Sequence, residues 1–487
     1  MSFSTPLRML LVLVLAAAVY CPLLAQTLDP AFEPTVAFTA TQQPATMRAL
    51  VEQADGRLLV AGDFAMFNNR AVANLVRLWP DGRVDTTFVA PAFAGGQILA
   101  LAADAQGRVL AVGEFTSVGG QSRTGVARLS TTGALDATFN PNMRAPSSSL
   151  TPQVRAVLVQ PDGNIVLGGY FVAAGAGGSA VPNVLRVLPS GQPDASFVPA
   201  VPYSGQVNAL LLQPSGKLLV AGNMYGSFLE LVRRLLPNGS LDPAFTTVPA
   251  NQTVAGIGLS MANTANGFVL AGAFISVGNQ TRASVARFLN DGTLDPTFTS
   301  PLPNVMPATP LNAVVALPTG KVIIGGATGA FALRGLLPNG SPDPDYLDPA
   351  QFSPPFSTVY ALVAQPNGNL LVAGAFPRIA GQRRSGLARL LAPGALASHS
   401  AAAAEALVLY PNPAHDQLHV RLEAAARPQR LVLLDVLGRP VLTQPVLAQP
   451  MPPTAELSLA TGPLRPGVYV LQVECATGTL SRWVVVQ

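Results

Sequence analysis

The pentapeptide "LDPAF" at Leu28–Phe32 stands ahead of any segment that could pair with it, yet its shape keeps returning. It recurs as "VDTTF" at Val84, "LDATF" at Leu135, "PDASF" at Pro193, "LDPAF" at Leu241, "LDPTF" at Leu294 and "PDPDY" at Pro342. Between these endings the chain repeats a unit of about fifty residues, and such periodicity has to be settled before any element is assigned. Aligning "MRALVEQADGRLLVAGDFAMFNNRAVANLVRLWPDGRVDTTF" from Met47 with "VNALLLQPSGKLLVAGNMYGSFLELVRRLLPNGSLDPAF" from Val207 brings four short apolar segments into register. Each unit reads strand, turn, strand, loop, strand, turn, strand.

Two glycine turns frame the unit. Gly56, Gly107, Gly163, Gly216, Gly267, Gly320 and Gly368 mark the first; Gly82, Gly133, Gly191, Gly239, Gly292, Gly340 and Gly394 mark the second. Glycine supplies the positive φ that a tight hairpin demands. Segments such as "LLVAG" at Leu58 and "VIIGG" at Val322 are continuously apolar, as strands buried on both faces should be. The pattern predicts an all-β chain whose largest part is a seven-bladed β-propeller with four-stranded blades. A stacked solenoid is the alternative. The last unit decides between them, for it has "STVYALVAQ", "LLVAGAF" and "GLARLLAPG" but runs into "ALASHSAAAAEA" with no Asp-x-x-Phe ending. The orphan at Leu28 is the missing fourth strand, and pairing it with the segment around Leu387–Leu391 closes a ring and removes the exposed edge. A solenoid has no use for that permutation.

Residues that recur in every unit read as architecture. Arg77, Arg128, Arg186, Arg234, Arg287, Arg334 and Arg389 recur on the third strand, and Asp85, Asp136, Asp194, Asp242, Asp295, Asp343 and Asp29 on the fourth. Polar groups held between blades must be hydrogen-bonded; whether each Arg meets its own Asp depends on register. Recognition is sought where the units differ. Both glycine turns fall on one face of the ring, so the long loop after the second strand and the connection to the next unit share the other. After the second-strand glycine the units read Asp63, Glu114, Tyr170, Asn223, Ala273, Ala327 and Ala375, a one-sided polar crescent. Asn69, Arg70, Gln121 and Arg123 stand beside it and suit a sugar or a peptide. The candidate ligand-binding residues are therefore Asp63, Glu114, Tyr170, Asn223, Arg70 and Arg123.

Chemistry is constrained by what the repeats lack. His399, His415 and His419 all lie beyond them, and Cys475 is the one cysteine outside the N-terminal segment. That removes Ser-His and Cys-His pairs and histidine metal sites from the repeat region. Asp63 and Glu114 are the pair a carboxylate-based glycosidase could use. Asp343, Asp345 and Asp348 lack the glycine turn and bidentate Glu of a calcium loop, and no phosphate loop or dinucleotide fingerprint is present. No metal and no cofactor are expected. With 11% charged residues and a net charge of +4, nucleic acid is not expected as a partner. The strands are too short and too uniformly apolar for a transmembrane β-barrel.

The N-terminus has Arg8, the apolar run "MLLVLVLAAAVY" and then "CPLLAQ", the order of a secretory signal cut near Ala25 or Gln26. The run is shorter than a spanning helix needs, so no transmembrane span is expected after its removal. Tyr20 is too bulky for lipoprotein processing at Cys21.

The repeats resemble the delta-60 family of bacterial β-propeller proteins. The likeness rests on "QPDG" at Gln160, "GEFTSVGGQSR" at Gly113, the "VARL" strands at Val126 and Val285 and the Leu-Asp-x-x-Phe endings. It implies a fold and little about activity. The sixth unit lacks most of the long loop over 325–337, and 228–236 has lost the glycine-rich one.

After the Ala-rich stretch at 401–406 repetition stops. Short strands broken by Pro and Gly predict a small Ig-like β-sandwich. This segment resembles the type A C-terminal sorting domain of type IX (Por) secretion in Bacteroidota, on "YPNP" at Tyr410, "LLDVLGRPV" at Leu433, "LRPGVYVLQV" at Leu464 and "SRWVVVQ" at Ser481. The motif residues are Tyr410, Pro411, Asn412, Pro413, Gly438, Gly467 and Tyr469. The resemblance implies recognition by the outer-membrane translocon and sorting machinery, and release or attachment at the cell surface. His415 and His419 read as surface residues that share one face of a strand. The expected organisation is a signal peptide over 1–26, propeller over 27–396, linker over 397–406 and sorting domain over 407–487. The expected function is a non-enzymatic, secreted or surface-displayed module that binds an extracellular carbohydrate or protein. The alternatives are a polysaccharide-active enzyme using paired carboxylates and a structural surface component.

Overall fold

The computed structural model describes residues 27–486 except 33, 35–44, 69, 73, 147–149, 176–178, 203, 226–228, 247, 250–255, 300–301, 303–309, 328–331, 344–356, 380–381, 393–406, 413, 424–427, 435–439, 447–453, 465–466 and 476–477. The expected signal peptide and linker lie outside these residues, as do Asn69, Asp345, Asp348, Pro413 and Gly438. Every regular element among the described residues is a strand, and none is a helix long and apolar enough to cross a membrane.

Among the described residues seven antiparallel sheets follow one another. Their first strands are Thr46–Glu52, Ile98–Ala103, Gln153–Val159, Ser204–Leu212, Ile257–Thr264, Leu311–Ala316 and Thr358–Ala364, and each touches the next, the last returning to the first. These strands form the inner ring. The second strands, Leu58–Asp63, Val109–Gly113, Ile165–Ala174, Leu218–Tyr225, Gly267–Ala273, Val322–Gly326 and Leu370–Ala375, pair outward from them. The third strands, such as Leu75–Leu78 and Val126–Leu129, lie outside those.

The fourth position is shorter than the sequence suggests. It is a single bridge in each unit: Leu78 to Val84, Leu129 to Leu135, Val187 to Pro193, Leu235 to Leu241, Phe288 to Leu294, Leu336 to Pro342 and, across the termini, Leu390 to Leu28. The residue after the bridge explains why. Asp85 donates its amide to the Arg77 carbonyl at 2.9 Å, and its own carbonyl then accepts from Phe88 at 3.3 Å, so the chain turns away at once. The N-terminal segment takes the same place in the seventh unit. Asp29 donates to the Arg389 carbonyl at 2.9 Å, and Leu391 donates to Thr27 at 2.8 Å.

The apolar core is distributed between sheets. One cluster joins Leu371, Ala373 and Leu387 of the seventh unit to Leu50, Leu58 and Val60 of the first, with Phe32 fully buried among them. The sheets therefore stack face on face around the ring, which is why second-strand sequences are apolar at consecutive positions.

Outside that core, six of the seven recurrent arginines meet their own aspartates. The ion pairs Arg77–Asp85, Arg128–Asp136, Arg186–Asp194, Arg234–Asp242, Arg287–Asp295 and Arg389–Asp29 are all 2.7 Å long. In the sixth unit Lys321 meets Asp343 at 2.9 Å. Each of those six guanidinium groups also lies 4.2–5.0 Å over the ring of the phenylalanine that ends its unit. Five of them reach the next unit: Arg77 donates to the Thr131 carbonyl at 2.7 Å, Arg186 to Pro237 at 2.7 Å, Arg389 to Pro80 at 2.5 Å, Arg128 to Pro189 and Arg234 to Asn290. In those five units the recurrent pair is thus a clip that fastens the unit's outer edge to its neighbour. The ending phenylalanine packs beneath the same turn, and a Cβ on Gly191, at φ +89°, would stand 2.9 Å from Phe139.

Residues 407–486 form a separate β-sandwich. One sheet holds Leu407–Tyr410, Gln417–Glu423 and Thr454–Ala460; the other orders Pro440–Pro445, Pro428–Leu434, Gly467–Cys475 and Gly478–Val486. Leu418, Val420, Leu422 and Leu459 from the first meet Leu431, Leu433, Leu471, Val473 and Val484 from the second, all buried.

Candidate functional site

The starts of the first strands and the ends of the second strands share one rim of the ring. Thr46 pairs with Asp63, Gln153 with Tyr170, Gln206 with Asn223, Ile257 with Ala273 and Thr358 with Ala375. Glu114 donates its amide to the Gln97 carbonyl at 2.9 Å. The crescent Asp63, Glu114, Tyr170 and Asn223 therefore occupies one register position in four consecutive units. Asp63 is exposed and the other three are half-buried. The glycine turns lie on the opposite rim, where a Cβ on Gly56 would meet Pro80 and one on Gly163 would meet Pro189.

Short hairpins stand above the crescent rim in four units: Met66–Phe67 with Arg70–Ala71, Ser117–Val118 with Gln121–Ser122, Ser276–Val277 with Gln280–Thr281, and Arg378–Ile379 with Gln382–Arg383. Phe67, Val118, Val277 and Ile379 anchor them in the core, while Arg70, Gln121, Gln280 and Gln382 are exposed. In the third and fourth units the second and third strands lengthen instead into one continuous hairpin.

Arg123 does not join this exposed set. It is 7% exposed and donates to the carbonyls of Ser122 at 2.8 Å and Ala137 at 3.1 Å, fastening its own hairpin to its own unit. Arg282 and Arg384 repeat the first contact, with Thr281 and Arg383. The sequence carried that signal in "GGQSR", "GNQTR" and "GQRR", where an arginine recurs at one position. A residue that recurs with the same local bond is a latch.

The feature that sequence reading missed is a bulge. Every first strand shifts register by one residue, between Met47 and Ala49, Ile98 and Ala100, Val154 and Ala156, Val207 and Ala209, Gly258 and Ser260, Leu311 and Ala313, and Val359 and Ala361. The extra residues are Arg48, Leu99, Arg155, Asn208, Leu259, Asn312 and Tyr360. All seven are half-buried, and a bulge re-aims the side chain it carries. Three of them reach a neighbouring unit: the Arg48 guanidinium lies 5.1 Å over the Tyr360 ring, Asn208 donates to the Gly258 carbonyl at 3.1 Å and Asn312 to the Val359 carbonyl at 3.2 Å. Arg155 places two donors on the Gln153 amide oxygen, at 3.2 and 2.6 Å. Burial pulls the Arg155 guanidinium below its ordinary value, against the raising effect of the Glu114 charge.

The clip carboxylates show the contrasting case. Burial by itself would raise Asp242, but hydrogen bonds from Lys217, the Ala244 amide and Arg234 hold it at about 2. Burial likewise opposes, and hydrogen bonds from Thr or Ser two residues on and from the clip arginine prevail, at Asp85, Asp136, Asp194 and Asp295, all held below the ordinary value. These aspartates serve the scaffold. Among the described residues no group of three His, Cys, Asp or Glu side chains is placed to hold a metal ion.

A cleft of about 440 Å³ lies on the glycine-turn rim between the second and third units, lined by Asp104, Gln106, Arg108, Gln160, Asp162 and Pro189. Its polar groups bond to one another or to close neighbours: Arg108 meets Asp104 at 2.6 Å and Asp162 accepts from Asn164 at 2.9 Å.

In the sandwich, Asn412 accepts from the Val485 amide at 2.9 Å and Ala414 donates to the Val485 carbonyl at 2.7 Å, so the "YPNP" turn is fastened to the last strand. The Tyr410 ring stacks on His419 at 5.4 Å, and Ser458 Oγ lies 3.2 Å from His419 Nδ1. Tyr469 is buried, and Gly467 opens its strand opposite Val486. His415 is exposed and precedes the strand that begins at Gln417, so the two histidines are not related by strand alternation as expected.

A ring of antiparallel sheets closed by its own N-terminal segment, joined to a small sandwich, defines a β-propeller protein with an appended C-terminal module. Six segments, 53–88, 106–139, 160–197, 213–245, 268–298 and 365–396, match the family described as a domain of unknown function (DUF5122) beta-propeller. Residues 408–487 match the secretion system C-terminal sorting domain. The chain thus carries DUF5122 β-propeller repeats and a C-terminal secretion sorting domain, which marks it for export to the cell surface or the medium through the type IX machinery. The sixth unit, with its shortened loop, falls between matched segments.

No curated protein is similar to it in sequence. Solved structures with some likeness include PorZ, a surface component of the type IX secretion system of Porphyromonas gingivalis, at 14% identity and a TM-score of 0.44, covering 91% of this chain and 59% of PorZ. They include virginiamycin B lyase from Staphylococcus aureus, at 11% identity and a TM-score of 0.44, covering 74% of this chain and 98% of the lyase. A gluconolactonase from Xanthomonas campestris is 15% identical with a TM-score of 0.34, covering 76% of this chain and 97% of the enzyme. The chain spans about three fifths of the length of PorZ. Likenesses of this degree carry no argument about what the chain binds or does.

Proposed function

We propose that residues 27–396 are a non-enzymatic binding module that takes an extracellular carbohydrate or protein on its crescent rim, with 407–487 serving as the address that exports it. The observation that carries this reading is the uneven distribution of side chains around one register position: Asp63, Glu114, Tyr170 and Asn223 on four successive units, then alanine at 273, 327 and 375. A scaffold requirement would repeat in every unit, as the clips do; a feature confined to one side of a ring is suited to a ligand that lies across that side. Arg70 and Gln121, exposed on the hairpins above, extend the same polar edge. The test is a binding screen of the purified secreted chain against a glycan array and extracellular polymers, repeated with Asp63 and Glu114 both changed to Ala. Saturable binding that the double variant loses supports the reading. Turnover of a polysaccharide, abolished by Asp63→Asn or Glu114→Gln, would replace it with an enzyme using the two carboxylates. A folded protein that binds nothing and assembles on the cell surface would replace it with a structural role.

A further inference from the structure

The arginines of the ring divide into two populations. Those of the clips each have a carboxylate at 2.7 Å, whereas Arg48 and Arg155, the two bulged arginines of the inner ring, have none within ion-pair distance among the described residues. Arg48 rests on the Tyr360 ring, and its Nε is buried without a hydrogen-bond partner. Among the described residues Arg155 has only a neutral amide oxygen for its donors, and Glu114 of the preceding unit acts on it through charge. Holding a guanidinium half out of water without a paired carboxylate costs stability that a ring face, a neutral amide and a charge beyond ion-pair distance recover only in part. A planar guanidinium fork is matched by a carboxylate, which accepts two parallel N–H bonds. Beside the two cations on the same rim stand two acceptors, Glu114 and exposed Asp63, which suit hydroxyl donors and repel a doubly charged phosphate. Carboxylate next to hydroxyls is the chemistry of a uronic acid.

We propose that Arg48 and Arg155 bind the carboxylates of an acidic, uronate-containing saccharide at the crescent-side mouth of the ring, with Glu114 and Asp63 accepting its hydroxyl groups. This rests on the binding reading above and names the ligand class for it. Polygalacturonate is the probe, measured against the secreted chain at 0.15 M salt alongside the same polymer after carboxyl reduction, which keeps the hydroxyls and removes the charge. The intact polymer is expected to bind, the reduced one at least about tenfold more weakly, and Arg48→Gln and Arg155→Gln each to lose about tenfold with an unchanged melting temperature, as the loss of a charge-assisted hydrogen bond gives. Citrate should compete poorly, since it offers carboxylates without the sugar.

Equal binding of the reduced polymer, full affinity in both variants, no binding of polygalacturonate, or citrate competing as well as galacturonate oligomers would each overturn the proposal. If either variant fails to fold, the pair of polymers on the unaltered protein decides by itself. A neutral glycan or protein bound equally by the parent and both variants would leave the crescent-rim reading standing and remove this one; the absence of any ligand would remove both.

Discussion

The outer and inner edges of the ring are built on opposite rules. At the outer edge one device is copied: an arginine, an aspartate eight residues on and a phenylalanine beyond it, fastened to the next unit's turn. At the inner edge one backbone device, the bulge, is copied, but the residue it carries changes from Arg to Leu, Asn or Tyr. Copying the side chain marks what every unit must do for the ring, and copying only the backbone leaves a position free to differ. The difference separates the edge that serves the scaffold from the edge on which recognition is proposed.

Breaking the outer edge where the ring closes should have the largest effect. Deleting 27–34 removes the Asp29–Arg389 pair at 2.7 Å, the fully buried Phe32 and the seventh unit's fourth position together. Loss of a buried large aromatic alone costs about 3–5 kcal/mol, so the deletion should lower propeller stability by at least that much. Denaturant unfolding followed by fluorescence or circular dichroism measures it, and an unchanged midpoint would contradict closure by this segment.

A single clip should cost less than the closure. Arg234→Met leaves Asp242, whose side chain is 3% exposed, with only Lys217 as a cationic partner. Breaking a buried pair on one side costs about 3–5 kcal/mol, with Lys217 moderating it towards the lower figure. The pH dependence of the parent protein reports the same group. Asp242 has a folded value of about 2 against 3.8, so its contribution, about 2 kcal/mol at 1.4 kcal/mol per unit, is complete above the unfolded value and is lost as pH falls from about 4 towards 2. Melting temperatures taken from pH 7 down to pH 2 should fall below pH 4, and less steeply in Arg234→Met.

How much of this was legible in the sequence follows the same division. The orphan "LDPAF" at Leu28 announced closure because a missing strand and a surplus strand match in kind, and the paired recurrence of Arg and Asp announced the clip. Register hid the rest. Arg123 recurs as Arg282 and Arg384, each ten residues after the second-strand glycine, but the other four units carry Val72, Ser179, Val232 and Leu336 there, so the latch reads as part of a variable loop. The bulge did leave a trace, in the glycine that ends each "LLVAG"-like strand. A Cβ on Gly113 would stand 1.9 Å from the Gln97 carbonyl oxygen, and one on Gly222 would stand 2.0 Å from that of Gln206. That glycine reads as ordinary strand composition until the pairing is seen, because close approach by a backbone carbonyl has no sequence signature of its own. The shortness of the fourth strand was likewise invisible, since the aspartate that turns the chain away looks the same in a longer strand.

The smallest expected effect tests the inner edge. If the bulged positions are free of scaffold duty, exchanging their side chains should leave the ring intact. Leu99 makes the best probe, because it stands between Arg48 and Arg155 in ring order and is half-buried with a bulge to itself. Leu99→Asn installs a residue that the fourth and sixth units already carry at this place, at Asn208 and Asn312, where each reaches the next unit's backbone. The change should move stability by no more than about 0.5 kcal/mol, the range of substitutions outside named structural features. A loss comparable to that of Arg234→Met in the same denaturation assay would mean that the inner ring holds the scaffold together just as the clips do, and the division between the two edges would fail.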